Sequence, residues 1–278
     1  MAKGMSLHIG LNSVNPKHYA GWSGKLTACE ADANDMAAIA ASRKYSSKKL
    51  LTKKATRSAV QSALTAAAKK LKSGDIFFLT YSGHGGQLPD QNGDEDDGLD
   101  ETWCLYDGEL VDDELFAAWS KFKAGVRILV LSDSCHSGTV ARAALMATIK
   151  PTSGEARVYR AMPADLALRV YDQHRKFYDK ILQDPKIAKA QAKVAASVQL
   201  ISGCQDNQLS SDGAFNGLFT GTLRQIWNGG AFKGSYVQFH KAIRAKMPPD
   251  QTPNRFMTGA PSAAFEAQEP FWIAKDKK

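Results

Sequence analysis

The sequence predicts an α/β domain built on a mostly parallel central sheet flanked by helices on both faces. Short apolar runs alternate with amphipathic stretches along the 278 residues, the pattern of strands separated by crossover helices. Two of the apolar runs pass directly into glycine-rich turns, as buried strands do when they end at a ligand-facing edge. Hydrophobic residues make up 44% of the chain and charged residues 23%, which suits a sizeable buried core. That balance excludes global disorder, a collagen-like chain and a disulfide-built miniprotein.

The elements follow in order. Residues 6–11 read as a first strand. Residues 30–42 read as a helix, with Ala and Met recurring on one face and Asp32 and Asp35 near its start, where the macrodipole favours acids. Residues 56–72 have helical spacing with Val60, Leu64 and Ala67 inward and a Lys-rich end. Asp75-Ile-Phe-Phe-Leu-Thr-Tyr81 is a buried strand entering Ser82-Gly-His-Gly-Gly86. Val126-Arg-Ile-Leu-Val-Leu131 is a second, entering Ser132-Asp-Ser-Cys-His-Ser-Gly138. Residues 197–202 form a third, and helices are expected over 217–227 and 236–246. The proline-rich stretch 248–278 reads as irregular.

One domain spans 1–278: a first part over 1–140, a basic linker or insertion over 141–196, and a last part over 197–278. The net charge is +8, and 141–196 holds eleven Lys/Arg against five Asp/Glu, so most of the excess sits in one segment. With the excess confined to that segment and the rest of the chain close to neutral, a nucleic-acid partner is not expected. Cys29, Cys104, Cys135 and Cys204 are widely spaced with no CxxC pair, which argues against a metal knuckle or a disulfide framework. The start of the sequence lacks the apolar core of a signal peptide. No apolar run approaches the roughly 18 residues of a membrane span. A cytoplasmic protein with no membrane partner, and a monomer, is the expectation.

The chemistry gathers at the two glycine turns. His84 and Cys135 each follow a buried strand, and their 51-residue separation lets neighbouring strands present them together. A thiol beside an imidazole is the minimal nucleophile for acyl transfer. Glycines at 83, 85, 86 and 138 let backbone N–H groups approach an oxyanion. A lone buried Cys is usually a small hydrophobe and a lone His a satisfied polar group. The pairing in two such turns favours function.

Tyr81-Ser-Gly-His-Gly85 and Asp133-Ser-Cys-His-Ser-Gly138 resemble the histidine and cysteine boxes of the caspase-like cysteine peptidases, in the branch of metacaspases and bacterial orthocaspases. Leu26-Thr-Ala-Cys-Glu-Ala-Asp-Ala33, Asp94-Glu-Asp-Asp-Gly-Leu-Asp-Glu101, Leu110-Val-Asp-Asp-Glu-Leu115 and Ile201-Ser-Gly-Cys-Gln-Asp-Asn-Gln208 resemble further boxes of that family in the same order. The resemblance covers 5–140 and 197–228. It implies a caspase-like fold and a peptidase in which Cys135 is the nucleophile, His84 the base, and the N–H groups of Gly85 and Cys135 the oxyanion hole. His136 adjoins the nucleophile, but neighbours on extended backbone point opposite ways.

The resemblance also places Asp32 and Asp133 around the substrate side chain, with Cys29 and Ser82 completing the wall and Asp206 a further candidate. Two acids around a slot favour a guanidinium or ammonium, so protein or peptide substrates cut after Arg or Lys are expected. Exposed basic segments attract proteolysis, so self-processing is expected within 141–196, at Arg142, Lys150, Arg157, Arg160 or Arg169. No cofactor is required. The acidic stretch 90–101 is no EF-hand, because the sixth position is not Gly. By resemblance, Asp100, Asp112 and Asp113 match a Ca²⁺ site, but Arg142 stands where a fourth acid belongs, so no more than weak Ca²⁺ binding is expected. The alternatives are a catalytically idle interaction module and a nucleic-acid binder using 141–196. A serine hydrolase is disfavoured because the Ser82 turn lacks the first glycine of GxSxG.

Overall fold

Fully apolar strand runs demand cover on both faces, and the chain supplies it. A computed structural model describes residues 2–93, 95, 97–134, 158–204 and 210–273. Its main sheet has six strands in the order β2-β1-β3-β7-β8-β9. These are β1 (Gly4–Gly10), β2 (Ser46–Leu51), β3 (Ile76–Ser82), β7 (Arg127–Asp133), β8 (Ser197–Ser202) and β9 (Asn254–Gly259). All neighbours pair in parallel except β8 and β9.

Side chains alternate across the sheet with period two, and β3 shows the consequence. Ile76 and Phe78 join one core with Met36 and Ile39 of α1 (Cys29–Ser42) and Phe219 and Leu223 of α6 (Leu218–Trp227). Helix α7 (Tyr236–Lys246) adds Phe239 and Ile243 to that face, opened by a Ser235–Gln238 capping box. Phe77, Leu79 and Tyr81 point the other way, onto Val60 and Leu64 of α2 (Arg57–Lys70) and Leu115 and Trp119 of α3 (Asp112–Trp119). Helices therefore cover both faces. Thr56 caps α2 by accepting from the Ala59 amide.

A second, antiparallel sheet joins β4 (Gly85–Pro89), β5 (Leu99–Leu105) and β6 (Gly108–Val111). Against it packs α4 (Ala164–Leu182), through a third core containing Leu88, Met162, Leu166, Val170 and Tyr178. The short α5 (Pro185–Ala188) follows.

The segment 141–196 was expected as a basic linker or insertion between two parts of one domain, and from Val158 onward it is built into the domain, with α4 buried on the second sheet. Two features depart from the sequence reading. The stretch 248–278 was expected to be irregular, but it contributes β9, the short α8 (Ala263–Glu266) and the fully buried Phe271. Pairing with β8 orders residues whose own propensities are weak. Strand β2, with exposed Lys48 and Lys49, also escaped notice, because an edge strand needs no apolar alternation.

Candidate active site

Parallel strands end on one edge, and the register aligns Ser82 of β3 with Asp133 of β7. The turn after β3 wraps tightly over Tyr81, whose hydroxyl donates to the His84 carbonyl at 2.6 Å and to the Cys104 carbonyl at 3.1 Å. A Cβ on Gly83 would lie 2.6 Å from that hydroxyl, so only glycine fits there. The Tyr81 ring is itself fixed by stacking on Trp103, with centroids 4.5 Å apart.

That turn buries His84. Its Nε2 lies 3.0 Å from the carbonyl oxygen of Gly24. A carbonyl only accepts, so Nε2 is assigned the proton, and Nδ1 keeps the lone pair. Nδ1 is buried and has no hydrogen-bond partner among the described residues. Burial pushes the imidazole pKa down to about 4, against the pull of the Gly24 carbonyl, and the Arg160 charge lowers it further. Trp22 lies against the ring, centroids 4.6 Å apart. The neutral imidazole is held as a base. Gly24 has φ +50°, the left-handed conformation that glycine adopts without strain.

Asp32, Asp133 and Ser82 converge. Ser82 Oγ donates to Asp32 Oδ2 at 2.7 Å. Asp32 Oδ1 accepts from Asn216 Nδ2 at 2.8 Å and from the Gly217 amide at 3.1 Å. Asp133 Oδ1 accepts from Ser210 Oγ at 2.6 Å, while Oδ2 takes the Thr220 hydroxyl at 2.7 Å and amide at 3.0 Å. Both acids are almost fully buried. Burial raises the Asp32 carboxyl, the neighbouring Asp133 adds to this, and Arg160 pulls it back.

The cation between them is the chain's own. Arg160 is 0% exposed. Its Nη2 lies 2.7 Å from Asp32 Oδ2 and 2.9 Å from Asp212 Oδ1, and its Nη1 lies 3.1 Å from Asp133 Oδ2. Nη1 also donates to Ser82 Oγ at 2.8 Å and to the Asp133 carbonyl at 3.2 Å. Burial opposes this charge, but Asp133, Cys29, Asp32 and Asp212 outweigh it and hold the guanidinium firmly protonated. Gly217 is required here, since a Cβ would lie 2.5 Å from both Arg160 Nη1 and Asp133 Oδ2.

Arg160 is also held by its backbone. Its carbonyl oxygen accepts from the Gly85 amide at 2.9 Å, and its own amide donates to Ser210 at 3.0 Å. The Asp212 amide donates to Val158 and the Met162 amide to the Gly85 carbonyl, both at 2.8 Å. Residues 158–162 thus lie as a strand between β4 and 210–212.

Of the other expected residues, Cys29 is fully buried, and burial pushes its thiol up to about 12, which suits a wall residue and not a nucleophile. Cys135, Asp206, His136 and Arg142 lie outside the described residues. Asp212, Asn216 and Thr220 were not anticipated, because they come from a stretch with no motif and reach the pocket from 181 to 185 residues beyond Thr27, Asp32 and Asp35 or 87 beyond Asp133.

Glu95, Glu101 of β5 and Asp112 of α3 offer carboxylate oxygens all within 4.8 Å of one another. Burial raises the Asp112 carboxyl well above its usual range, and Glu101, Asp113, Asp100 and Glu95 add to the rise. Crowded hard oxygens of this kind fit Ca²⁺, which takes about six to eight such ligands. Of the expected residues, Asp112 belongs to this cluster, Asp100 and Asp113 lie near enough to raise its carboxyl, and Asp113 Oδ2 also accepts from Asn92 Nδ2 at 2.8 Å. Glu95 and Glu101 were not anticipated as members.

Comparison with known proteins follows the same outline. The caspase-domain family model matches residues 13–273. The chain is 30% identical over 218 residues to Metacaspase-1A of Aspergillus oryzae, covering 69% of this chain and 51% of that protein. It is 30% identical over 216 residues to Metacaspase-1 of Schizosaccharomyces pombe, covering 68% and 50%. The chain therefore spans about half the length of the curated relatives it matches. A crystal structure of a Geobacter sulfurreducens protein is 58% identical, with TM-score 0.88, over 98% of this chain and all of that one. Caspase-1 of Spodoptera frugiperda shares the fold at TM-score 0.54 and 10% identity, over 93% and 86% of the two chains.

Proposed function

The chain belongs to the caspase-like family, among the metacaspases, and from that premise we propose that it is a cysteine endopeptidase that cuts protein substrates after Arg or Lys. In this reading Cys135 is the nucleophile and His84 the base. His84 Nδ1 takes the Cys135 thiol proton, and the sulfur attacks the carbonyl carbon after the basic residue. The N–H groups of Gly85 and Cys135 receive the developing oxyanion. The imidazolium then gives its proton to the leaving amine, and water hydrolyses the thioester to restore the thiol and release the acid.

The observation that carries the specificity is the pair Asp32 and Asp133 on one buried guanidinium. Two carboxylates in a slot closed to water need a cation between them, and a substrate carboxylate there would add like-charge repulsion and an unmet desolvation cost. Cys29 and Ser82 form the wall, and Asp206 remains a candidate for it. Self-processing within 141–196 belongs to the same reading, since the segment supplies basic residues. Sheet edge β2, guarded by Lys48 and Lys49, supports a monomer.

Where a divalent cation binds, Glu95, Glu101 and Asp112 would hold it, and it would relieve the repulsion among those acids. None of them contacts Asp32 or Asp133 among the described residues, and in this reading no cofactor is required.

The experiment is to incubate wild type and Cys135→Ala with Arg-, Lys- and Asp-ended fluorogenic peptides. Turnover of the first two by wild type alone is the expected result. Turnover of the Asp-ended peptide in preference to them would overturn the specificity.

A further inference from the structure

We propose that residues 158–162 form a built-in strap that occupies the substrate cleft, so that Arg160 closes the basic-residue pocket and Arg160–Ala161 is the bond the chain cuts in itself. The proposal deepens the peptidase reading and rests on it for the cut. The closing of the pocket rests on geometry only.

Among the described residues, the strap makes the pocket and main-chain contacts of a bound substrate strand. Its basic side chain meets Asp32, Asp133 and Asp212 at 2.7, 3.1 and 2.9 Å. The carbonyl of that same residue accepts from Gly85, the amide expected to polarise a scissile carbonyl, at 2.9 Å. Main-chain bonds run on both sides: antiparallel to 210–212, where Tyr159 bridges Ser211, and parallel to β4, where Ala161 bridges Gly85. This is strand addition, in which the backbone supplies affinity and one pocket supplies selectivity. Arg169, also basic and within the expected segment, has no such placement: it is on the exposed face of α4, paired with Asp165. Arg157 lies outside the described residues.

Anchorage beyond the strap makes it a competitor. Met162 is 1% exposed and begins the core under α4. Arg160 is thus tethered close to its pocket at high effective concentration, and a peptide arriving from solution must displace it. Cutting the Arg160–Ala161 bond leaves a carboxylate on Arg160 and an amine on Ala161, with water consumed. It also removes the tether on the Met162 side. The two fragments stay in one sheet, because β7 lies in the first and its partner β8 in the second.

The test has one arm that needs no catalysis. On the Cys135→Ala background, p-aminobenzamidine is titrated into the parent and into Arg160→Gln, reading probe fluorescence and Tm. The parent should bind on the order of 100-fold more weakly than the Arg160→Gln chain, as expected when a pocket is open in about one molecule in a hundred. The variant lacks the buried cation, so its Tm starts low, and the probe should restore it while leaving the parent unmoved. Equal binding by both chains, or no Tm response in the variant, would overturn the closed pocket.

The second arm is intact-mass and N-terminal analysis of the chain with Cys135 present. A new N-terminus at Ala161, absent in Cys135→Ala and in Arg160→Gln, is the expected result. A chain that turns over Arg-ended peptides while its 160–161 bond stays whole would overturn the assignment of the bond and leave the peptidase reading standing. Selective probe binding in a chain that cuts no peptide would uphold the closed pocket and remove the peptidase reading.

Discussion

The imidazole of His84 hangs from the backbone carbonyl of Gly24, Nε2 to oxygen 3.0 Å. Sixty residues separate the two in sequence, and Gly24 takes a left-handed φ at this contact. The contact fixes the tautomer that a thiol-activating base needs, with the lone pair on Nδ1. It does so without a carboxylate third member.

His84→Ala and Cys135→Ala should each lower peptide turnover on the order of 1000-fold or more, as removal of a nucleophile or its base does elsewhere. Thermal unfolding should show both variants folded. Because burial holds the neutral imidazole down to about pH 4, the acid limb of kcat/KM should fall below the 6.5 of an ordinary histidine. A pH–rate profile with its acid limb at or above 6.5 would show that the buried state is not the working one.

Asp32→Asn and Asp133→Asn keep the shape of the pocket and remove one charge each. Breaking a buried ion pair costs about 3 to 5 kcal/mol, so kcat/KM for Arg-ended peptides should fall by roughly 100-fold or more. Asp133 also accepts from Ser210 and Thr220, so its variant should lose more Tm than a surface change would. Unchanged kcat/KM in both variants would move the substrate side chain elsewhere.

Glu109 supplies a stability test away from the site. Its carboxyl is fully buried and pushed up to about 8, with Thr102 and Arg57 pulling it back. Oε2 accepts from Thr102 Oγ1 at 2.6 Å, and Oε1 has no hydrogen-bond partner among the described residues. Since the folded pKa lies above the unfolded one, this group's contribution is complete below about pH 4.5 and is lost as pH rises through 8. Glu109→Gln cannot ionise, so it should outlast wild type at pH 9 by on the order of a few kcal/mol, with the gap closing toward pH 5. Urea midpoints at the two pH values measure it. A gap independent of pH would mean that Glu109 is not the titrating group.

Peptide turnover should persist in excess EGTA and respond at most modestly to millimolar Ca²⁺. The crowded acids offer three carboxylates, Asp113 is engaged by Asn92, and Arg142 occupies the sequence position of a fourth. Ca²⁺ should still raise Tm slightly, and Glu101→Gln should remove that response. Silence in EGTA with full rescue by micromolar Ca²⁺ would show a required metal.

The sequence by itself determined four of the six main-sheet strands, β1, β3, β7 and β8, and helices α1, α2, α6 and α7 on its two faces, because apolar runs and 3.6-residue spacing are local signals. Strand 197–202 and helix 236–246 appear at the residues expected of them, and Asp32, Ser82 and Asp133 do converge. Motif order named the family for the same reason: each box is a contiguous run. What the tertiary structure decided is who meets whom across long stretches. Arg160 was one of five candidate cleavage positions among the eleven basic residues of a segment read as a linker or insertion, and nothing local in the sequence distinguishes it from Arg157 or Arg169. Its contact with Asp32 spans 128 residues, and its carbonyl reaches Gly85 through a strand pairing that no periodicity encodes. A buried guanidinium is stable only where several carboxylates close around it at once, and that coincidence exists only after folding.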